Sequence, residues 1–282
     1  MSQPEMYFFW ITVSCYVAAS LSYLYRFLSG STKADKVGTW LAAAGAAVNF
    51  LVITARTVST GHLPVRTLYE LNIVVAFLAV VVFLLARRYF PWVSLLGIVS
   101  VSFAFLVMGW GYADSTEALP LTPAYKSRWL AVHVLFALTS TACYVLGAAA
   151  GIFYLLKGRF VPGTEPERYR MLPDKETLEE SGVKFILLGF IAGTIMIISG
   201  SIWAKLLWGK YWGWDPVETW SLVSWLIYGI FLHLRFTYGW KGRKLVWLGL
   251  GCLVTNIISF WAVGLVTPDT YHTLDQITRP IE

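Results

Sequence analysis

Residues 71–86 read LNIVVAFLAVVVFLLA, and the run carries no charged side chain. Its apolar residues are continuous and do not alternate with polar ones, as they would along a strand with one wet face. The composition of the whole chain decides which solvent such a run meets. Charged residues make up 13% of the 282, against about 25% in soluble domains. Apolar residues make up 57%, and the mean hydropathy is +0.62. The solvent is therefore lipid, and lipid in turn dictates the conformation. A backbone without water must satisfy its own N–H and C=O groups, which leaves helices or a closed barrel, and continuous runs read as helices.

Seven further apolar runs accompany the first, giving segments 7–28, 39–54, 71–86, 92–111, 129–156, 185–207, 216–234 and 245–266. A helical span needs about 20 residues, so the second and third are short for a bilayer and imply little tilt or a few polar residues at their ends. The expected fold is all-α, a polytopic membrane bundle of about eight transmembrane helices forming a single domain, residues 1–282. The first run begins at Tyr7 without a basic segment before it or a small-x-small cleavage site, so no cleaved signal peptide is expected.

The basic residues orient the bundle. Loops after odd-numbered segments hold 15 of the 22 Lys and Arg residues, including Arg87, Arg88, Arg168, Arg170 and Arg243. The opposite loops hold seven: Arg56, Arg66, Lys126, Arg128, Lys205, Lys210 and Arg279. By the positive-inside rule both termini face the outer, periplasmic side. The net charge of +6 follows from this asymmetry and from contact with anionic lipid, and calls for no nucleic acid. The largest insertion, 157–184, lies on the inner side, mixed in charge sign and rich in turn formers. It reads as a solvated loop with one brief amphipathic turn.

Chemistry-bearing residues are few. Cys15, Cys143 and Cys252 fall inside predicted spans and form no CxxC, so they read as small hydrophobes. The chain has no His-Glu-x-x-His, and its outer side does not assemble an evident tetrahedral zinc set. Of four histidines, His62, His133 and His272 fall at the outer level. His233 comes seventeen residues after Pro216, roughly 25 Å along its helix toward the inner leaflet. An intramembrane histidine is a functional candidate, although a hydrogen-bonded packing role is the ordinary alternative. Haem asks for one or two axial ligands and a broad apolar surface, which outer histidines and aromatic residues supply.

The outer loop that opens the seventh segment reads WGKYWGWDPVETW, residues 208–220. Asp215, Pro216 and Glu218 spell a helix start, with Asp at N-cap, Pro at N1 and Glu at N3. Capping does not explain Trp203, Trp208, Trp212, Trp214, Trp220 and Trp225, six of fourteen tryptophans. Interfacial anchoring accounts for one or two per helix end. The sharper reading of the 203–225 segment is a surface for a planar apolar ligand, with Trp212 and Trp214 presenting flat faces side by side.

The segment WGKYWGWDPVETWSLVSWLIYGIFLHLR, together with GHLPVRTLYE at 61–70, resembles the tryptophan-rich WWD proteins of cytochrome c biogenesis, and within them the CcsA type of System II, also labelled CcsB. The resemblance runs from Gly61 to His272. It implies that the chain handles haem b and exports it to an external site, where it is attached to the CxxCH motif of apocytochrome c. It implies His133 and His272 as external axial ligands and His233 as an intramembrane ligand, with Trp208, Trp212, Trp214 and Trp220 at the haem surface. Where the family ends on HSY, this chain reads YHTLD. Cations for the haem propionates are sought among Arg128, Lys210, Arg66 and Arg56. The implied partners are a ResB-type (Ccs1-type) membrane protein that completes the inner site and supplies the rest of a holocytochrome c synthase, and the thiol-reducing proteins that keep CxxCH reduced. The implied membrane is the bacterial inner membrane, or the thylakoid for a plastid chain. Two other readings stand beside this one: a haem chaperone without a synthase role, and a membrane transporter of another small molecule.

Overall fold

The computed structural model of the protein describes residues 1–118, 125–161 and 163–263. Among them the chain is helical throughout, with α1 Gln3–Ser29, α2 Thr32–Thr60, α3 Leu68–Tyr89, α4 Gly97–Asp114, α5 Arg128–Lys157, α6 Glu167–Arg170, α7 Lys175–Trp208, α8 Pro216–Phe236 and α9 Arg243–Ile257. A 3-10 turn, Pro91–Leu96, leads into α4, and a π-helical turn, Ile258–Ala262, extends α9. Eight of these helices are long and apolar enough to cross a membrane, counting the turns with the helices they extend. The polytopic all-α bundle expected from the sequence is the fold.

The second and third spans are longer than their apolar runs, and the reason is a buried ion cluster. Segment 39–54 stops short of Arg56 and segment 71–86 begins after Glu70, because charges ordinarily end a span. Here Arg56 Nε donates to Glu70 Oε1 at 2.9 Å, and neither side chain has exposed surface. Arg56 Nη1 lies 3.8 Å from Glu5 Oε1, also fully buried, and the Tyr69 hydroxyl donates to that same oxygen at 3.0 Å. The remaining guanidinium donors bind the Thr116 and Glu117 carbonyls at 2.9 and 2.6 Å. Charges so paired and hydrogen-bonded are compatible with the bundle interior, so α2 continues to Thr60. At the start of α3, Thr67 and Glu70 form a reciprocal capping box.

The loop between α5 and α7 is likewise shorter than expected. Asp174 caps α7 by accepting from the Thr177 N–H at 2.7 Å, so residues 175–184 are helix. That bond also holds the Asp174 carboxyl below its ordinary range. The brief turn expected in this loop is α6.

The helices form two groups, α1–α4 and α5 with α7–α9, joined where α3 and α4 meet α5. The closest pairing, α5 with α7, is backbone to backbone: a Cβ on Gly147 would stand 3.2 Å from the Gly182 carbonyl oxygen. Small residues allow such approach in membranes, where apolar burial itself drives little association. The seam between the groups opens at the end of the bundle where α3, α5 and α8 start and α4 and α7 finish.

Candidate functional site

His133 is in the second turn of α5, and α7 passes directly beside it. The ring fits there because Gly200 has no side chain; a Cβ at that position would lie 2.5 Å from His133 Nδ1. Within this slot Nδ1 stands 2.9 Å from the Met196 carbonyl oxygen. A carbonyl only accepts, so Nδ1 carries the proton and the neutral ring keeps its lone pair on Nε2. Fixing one ring nitrogen on a backbone carbonyl is how proteins orient an imidazole for a metal. Trp203, buried, lies nearly parallel to the ring, with centroids 6.4 Å apart and planes at 22°.

His133 lines a cavity of about 400 Å³ in the seam, walled by Trp203, Trp225, Tyr144, Phe260 and Trp261. This size falls within the range of small-molecule sites, about 300 to 1,000 Å³. The aromatic walls are held by polar pins. Trp225 Nε1 donates to Thr194 Oγ1 at 2.9 Å, and its ring stacks on Phe190 at 5.1 Å. Trp261 Nε1 donates to Asn72 Oδ1 at 3.0 Å. Deeper in the cavity, Thr141 donates to Asn256 Oδ1 at 3.2 Å. A smaller cleft of about 50 Å³ adjoins, and it brings His133 and Trp203 together with Trp212, Tyr211 and Glu218.

The tryptophan loop is built as its capping residues imply. Asp215 caps α8 with Pro216 at the first helical position, and Glu218 closes the capping box. Glu218 Oε2 reaches further, accepting from the Gly213 N–H at 2.8 Å as well as from Asp215 N–H at 3.3 Å. The tight turn places Trp214 at φ 58°, left-handed for a residue with a Cβ. As a result Trp212 and Trp214 do not present faces side by side; they meet edge to face, 5.9 Å apart at 82°. Trp208 packs edge-on against Trp203 at 5.1 Å. Trp214 is 71% exposed and Trp220 39%. Among the described residues that line the cavity and the cleft, Trp212 alone represents the four tryptophans expected at the ligand surface. Trp203 and Trp225, read from sequence only as flanking members, are among the cavity walls.

The other histidines are dispersed. His62 is buried, its Nδ1 2.7 Å from the Leu63 carbonyl oxygen. His233 sits one turn from the end of α8, exposed on the outside of the bundle, with Nδ1 3.2 Å from Thr237 Oγ1 and Tyr238 edge-on at 5.3 Å. His272 lies outside the described residues. Of the four candidate cations, Arg56 is consumed by the ion cluster and is not among the described residues lining the cavity or the cleft. Arg128 and Lys210 are exposed, and Arg66 lines the cavity.

Comparison with known proteins places this architecture. The model of the cytochrome c assembly protein family matches residues 5–269. The chain belongs to that family. A CcsA cytochrome c biogenesis protein of Chlamydomonas reinhardtii is 34% identical over 200 residues, covering 69% of this chain and 56% of the relative. The CcsA of Mesostigma viride is 31% identical over 224 residues, covering 70% and 73%. That of Gloeothece citriformis (strain PCC 7424) is 30% identical over 279 residues, covering 80% and 85%. Among solved structures, the cytochrome c haem lyase CcmF superposes with a TM-score of 0.71 at 18% identity, covering all of this chain and 52% of its own. The chain thus spans about half the length of CcmF and of the Chlamydomonas reinhardtii relative, and the likeness to CcmF is one of fold. Within the family, the His133 cavity belongs to a cytochrome c biogenesis protein.

Proposed function

We propose that this cytochrome c assembly protein holds haem b as cargo in the outer cavity and presents it for covalent attachment to the CxxCH thiols of apocytochrome c, as a subunit of a System II synthase. The observation that carries this reading is the His133–Met196 contact, which puts the imidazole lone pair on Nε2 beside an aromatic cavity of ligand size. The aromatic walls, Trp203 and Trp225 among them, suit an apolar planar ring, with Trp212 at the adjoining cleft. His133 is one axial ligand, and His272 is the second that the family resemblance assigns. Trp208 at the end of α7, Trp214 in the loop and Trp220 in the first turns of α8 then bear on the cargo, or on the apocytochrome that meets it.

Attachment adds each cysteine S–H across a vinyl group: sulfur bonds one vinyl carbon and the proton goes to the other, without net oxidation. The chain offers no nucleophilic cysteine for this, since Cys143 and Cys252 are buried and Cys15 lies midway along α1. Its contribution is position. Holding the ring with one edge toward the thiols turns a bimolecular encounter into a nearly unimolecular addition. A ResB-type partner and thiol-reducing proteins complete the machine in this proposal.

Reconstitution tests it. The chain, a ResB-type partner, reduced haem and a reduced CxxCH peptide are combined and read by haem stain after denaturing electrophoresis. Covalent product is expected from wild type, with loss in His133→Ala and partial rescue by imidazole. Haem-loaded complex without covalent product would reduce the role to that of a chaperone. Colourless complex would favour transport of something else, and equal product from the partner alone would remove this chain from the synthase surface.

A further inference from the structure

We infer that Arg66 is the carboxylate anchor of the outer cavity, fixing the acidic edge of an otherwise apolar planar molecule; this deepens the proposed haem reading and rests on the cavity being a ligand site. Arg66 precedes the cap of α3, and its backbone N–H is tied to Glu70 Oε2 at 2.8 Å. Its neighbours Val65 and Leu68 line the cavity beside it. The side-chain Nε and Nη1 are buried, yet they have no hydrogen-bond partner among the described residues. Buried guanidinium donors left unsatisfied are costly, and an anion relieves that cost.

The surroundings do not supply that anion. Glu70 is the nearest buried carboxylate in sequence, but Arg56 Nε takes Oε1, and the backbone N–H groups of Arg66 and Thr67 take Oε2. Asp114 lines the same cavity but is exposed and makes no ion pair with Arg66 among the described residues. Tyr125, also on the wall, has its phenol pushed up by burial, with Glu70 adding to the rise and Arg66 opposing it. It stays neutral near pH 7 and cannot act as the counterion. The contrast with Arg56, whose Nε, Nη1 and Nη2 all find acceptors, marks Arg66 as the cation kept for something that arrives. A planar carboxylate with two acceptor oxygens suits a guanidinium best. The cargo's propionate and the acid of a smaller aromatic amphiphile share this chemistry.

The test pairs acids with their esters on the purified chain in detergent. Iron protoporphyrin IX is compared with its dimethyl ester by Soret titration, and pyrenebutyrate with its methyl ester by fluorescence. Wild type is expected to prefer each acid by tenfold or more. Arg66→Gln should abolish the preference while leaving ester affinity unchanged, Arg66→Lys should keep part of it, and Arg128→Gln should keep all of it. Size-exclusion profiles and thermal melts matching wild type exclude misfolding, and the lysine variant carries the test should the glutamine variant fail to fold. An acid preference equal in wild type and in a folded Arg66 variant overturns the inference. If wild type binds neither porphyrin but keeps an Arg66-dependent preference for pyrenebutyrate, the anchor stands and the haem reading falls. No acid preference in wild type with either pair removes the anchor.

Discussion

Arg56 and Glu70 meet at 2.9 Å with no exposed side-chain surface on either, and through them α2 is fastened to α3 and to the segment after α4. Removing one partner leaves the other charged and buried. For Glu70→Gln we expect a loss on the order of 3 to 5 kcal/mol, read as a lower melting temperature in detergent. The double replacement Arg56→Met with Glu70→Leu should cost less than the sum of the two singles, because neither member of this pair is left facing a lost partner, while Glu5 keeps its hydrogen bond from the Tyr69 hydroxyl. Additive losses would mean that the pair does not interact as its geometry states.

The His133 orientation depends on a missing side chain. Gly200→Ala puts a methyl 2.5 Å from Nδ1, so the ring must leave the Met196 carbonyl. Loss of such an orienting partner costs roughly 10- to 100-fold in metal affinity. We expect Gly200→Ala to weaken haem titration by about that factor, approaching His133→Ala, while the helix content by circular dichroism stays at wild type. An unchanged Soret titration in both variants would take His133 out of the site.

The span count was legible because lipid leaves helix as the form for a continuous apolar run, and the capping residues Asp215, Pro216 and Glu218 were legible because their chemistry is local. The ends of α2 and α3 were not. Arg56 and Glu70 read as interfacial charges until the fold brings them together across 14 residues of sequence, with Glu5 joining from α1. The cavity walls were hidden for a related reason. Trp203 and Trp225 sit on separate helices with no sequence signal that they converge, whereas the conspicuous Trp214 and Trp220 point outward. His133 was singled out in the sequence by its expected level in the membrane, but Gly200 and Met196, which orient its ring, are ordinary residues of an apolar run.

Trp214 holds φ 58°, a conformation that costs an L-residue about 1 to 2 kcal/mol and that glycine adopts freely. Its ring is 71% exposed, so little burial offsets the strain. Trp214→Gly should therefore raise the melting temperature of the ligand-free protein, or leave it unchanged, while lowering haem retention on a desalting column. Strain kept at a ligand loop is the pattern expected of function. Full haem retention in the variant would leave the loop a purely structural turn.

From the charge asymmetry the tryptophan loop is expected outside. Reporter fusions after Arg170 and after Lys210 are expected to signal inside and outside respectively. The structure makes both sites suitable, since Arg170 ends α6 and Lys210 follows the end of α7. The reverse pattern would turn the outer cavity toward the cytoplasm and remove its access to apocytochrome.

His233 has a different setting from His133. Its ring is on the outside of the bundle, and its partner is a hydroxyl, Thr237 Oγ1 at 3.2 Å, which can donate or accept. Among the described residues nothing imposes either tautomer, so the site there is expected to be completed by a second protein. The adjoining corner is rigid: Glu179 accepts from Arg235 Nη1 at 3.0 Å and from the Gly242 N–H at 2.7 Å, which holds the α8–α9 turn beside the histidine. A fixed frame carrying an outward ligand suits an interface with the ResB-type partner. In the purified complex, His233→Ala is expected to remove one haem as measured by pyridine haemochrome, while the isolated chain keeps its outer-haem spectrum. Thr237→Val should weaken the inner haem by a smaller factor, because the ring remains but loses its hydrogen bond. An isolated chain that already shows a bis-histidyl inner haem, lost in His233→Ala, would place the second ligand within this protein and end the shared-site proposal.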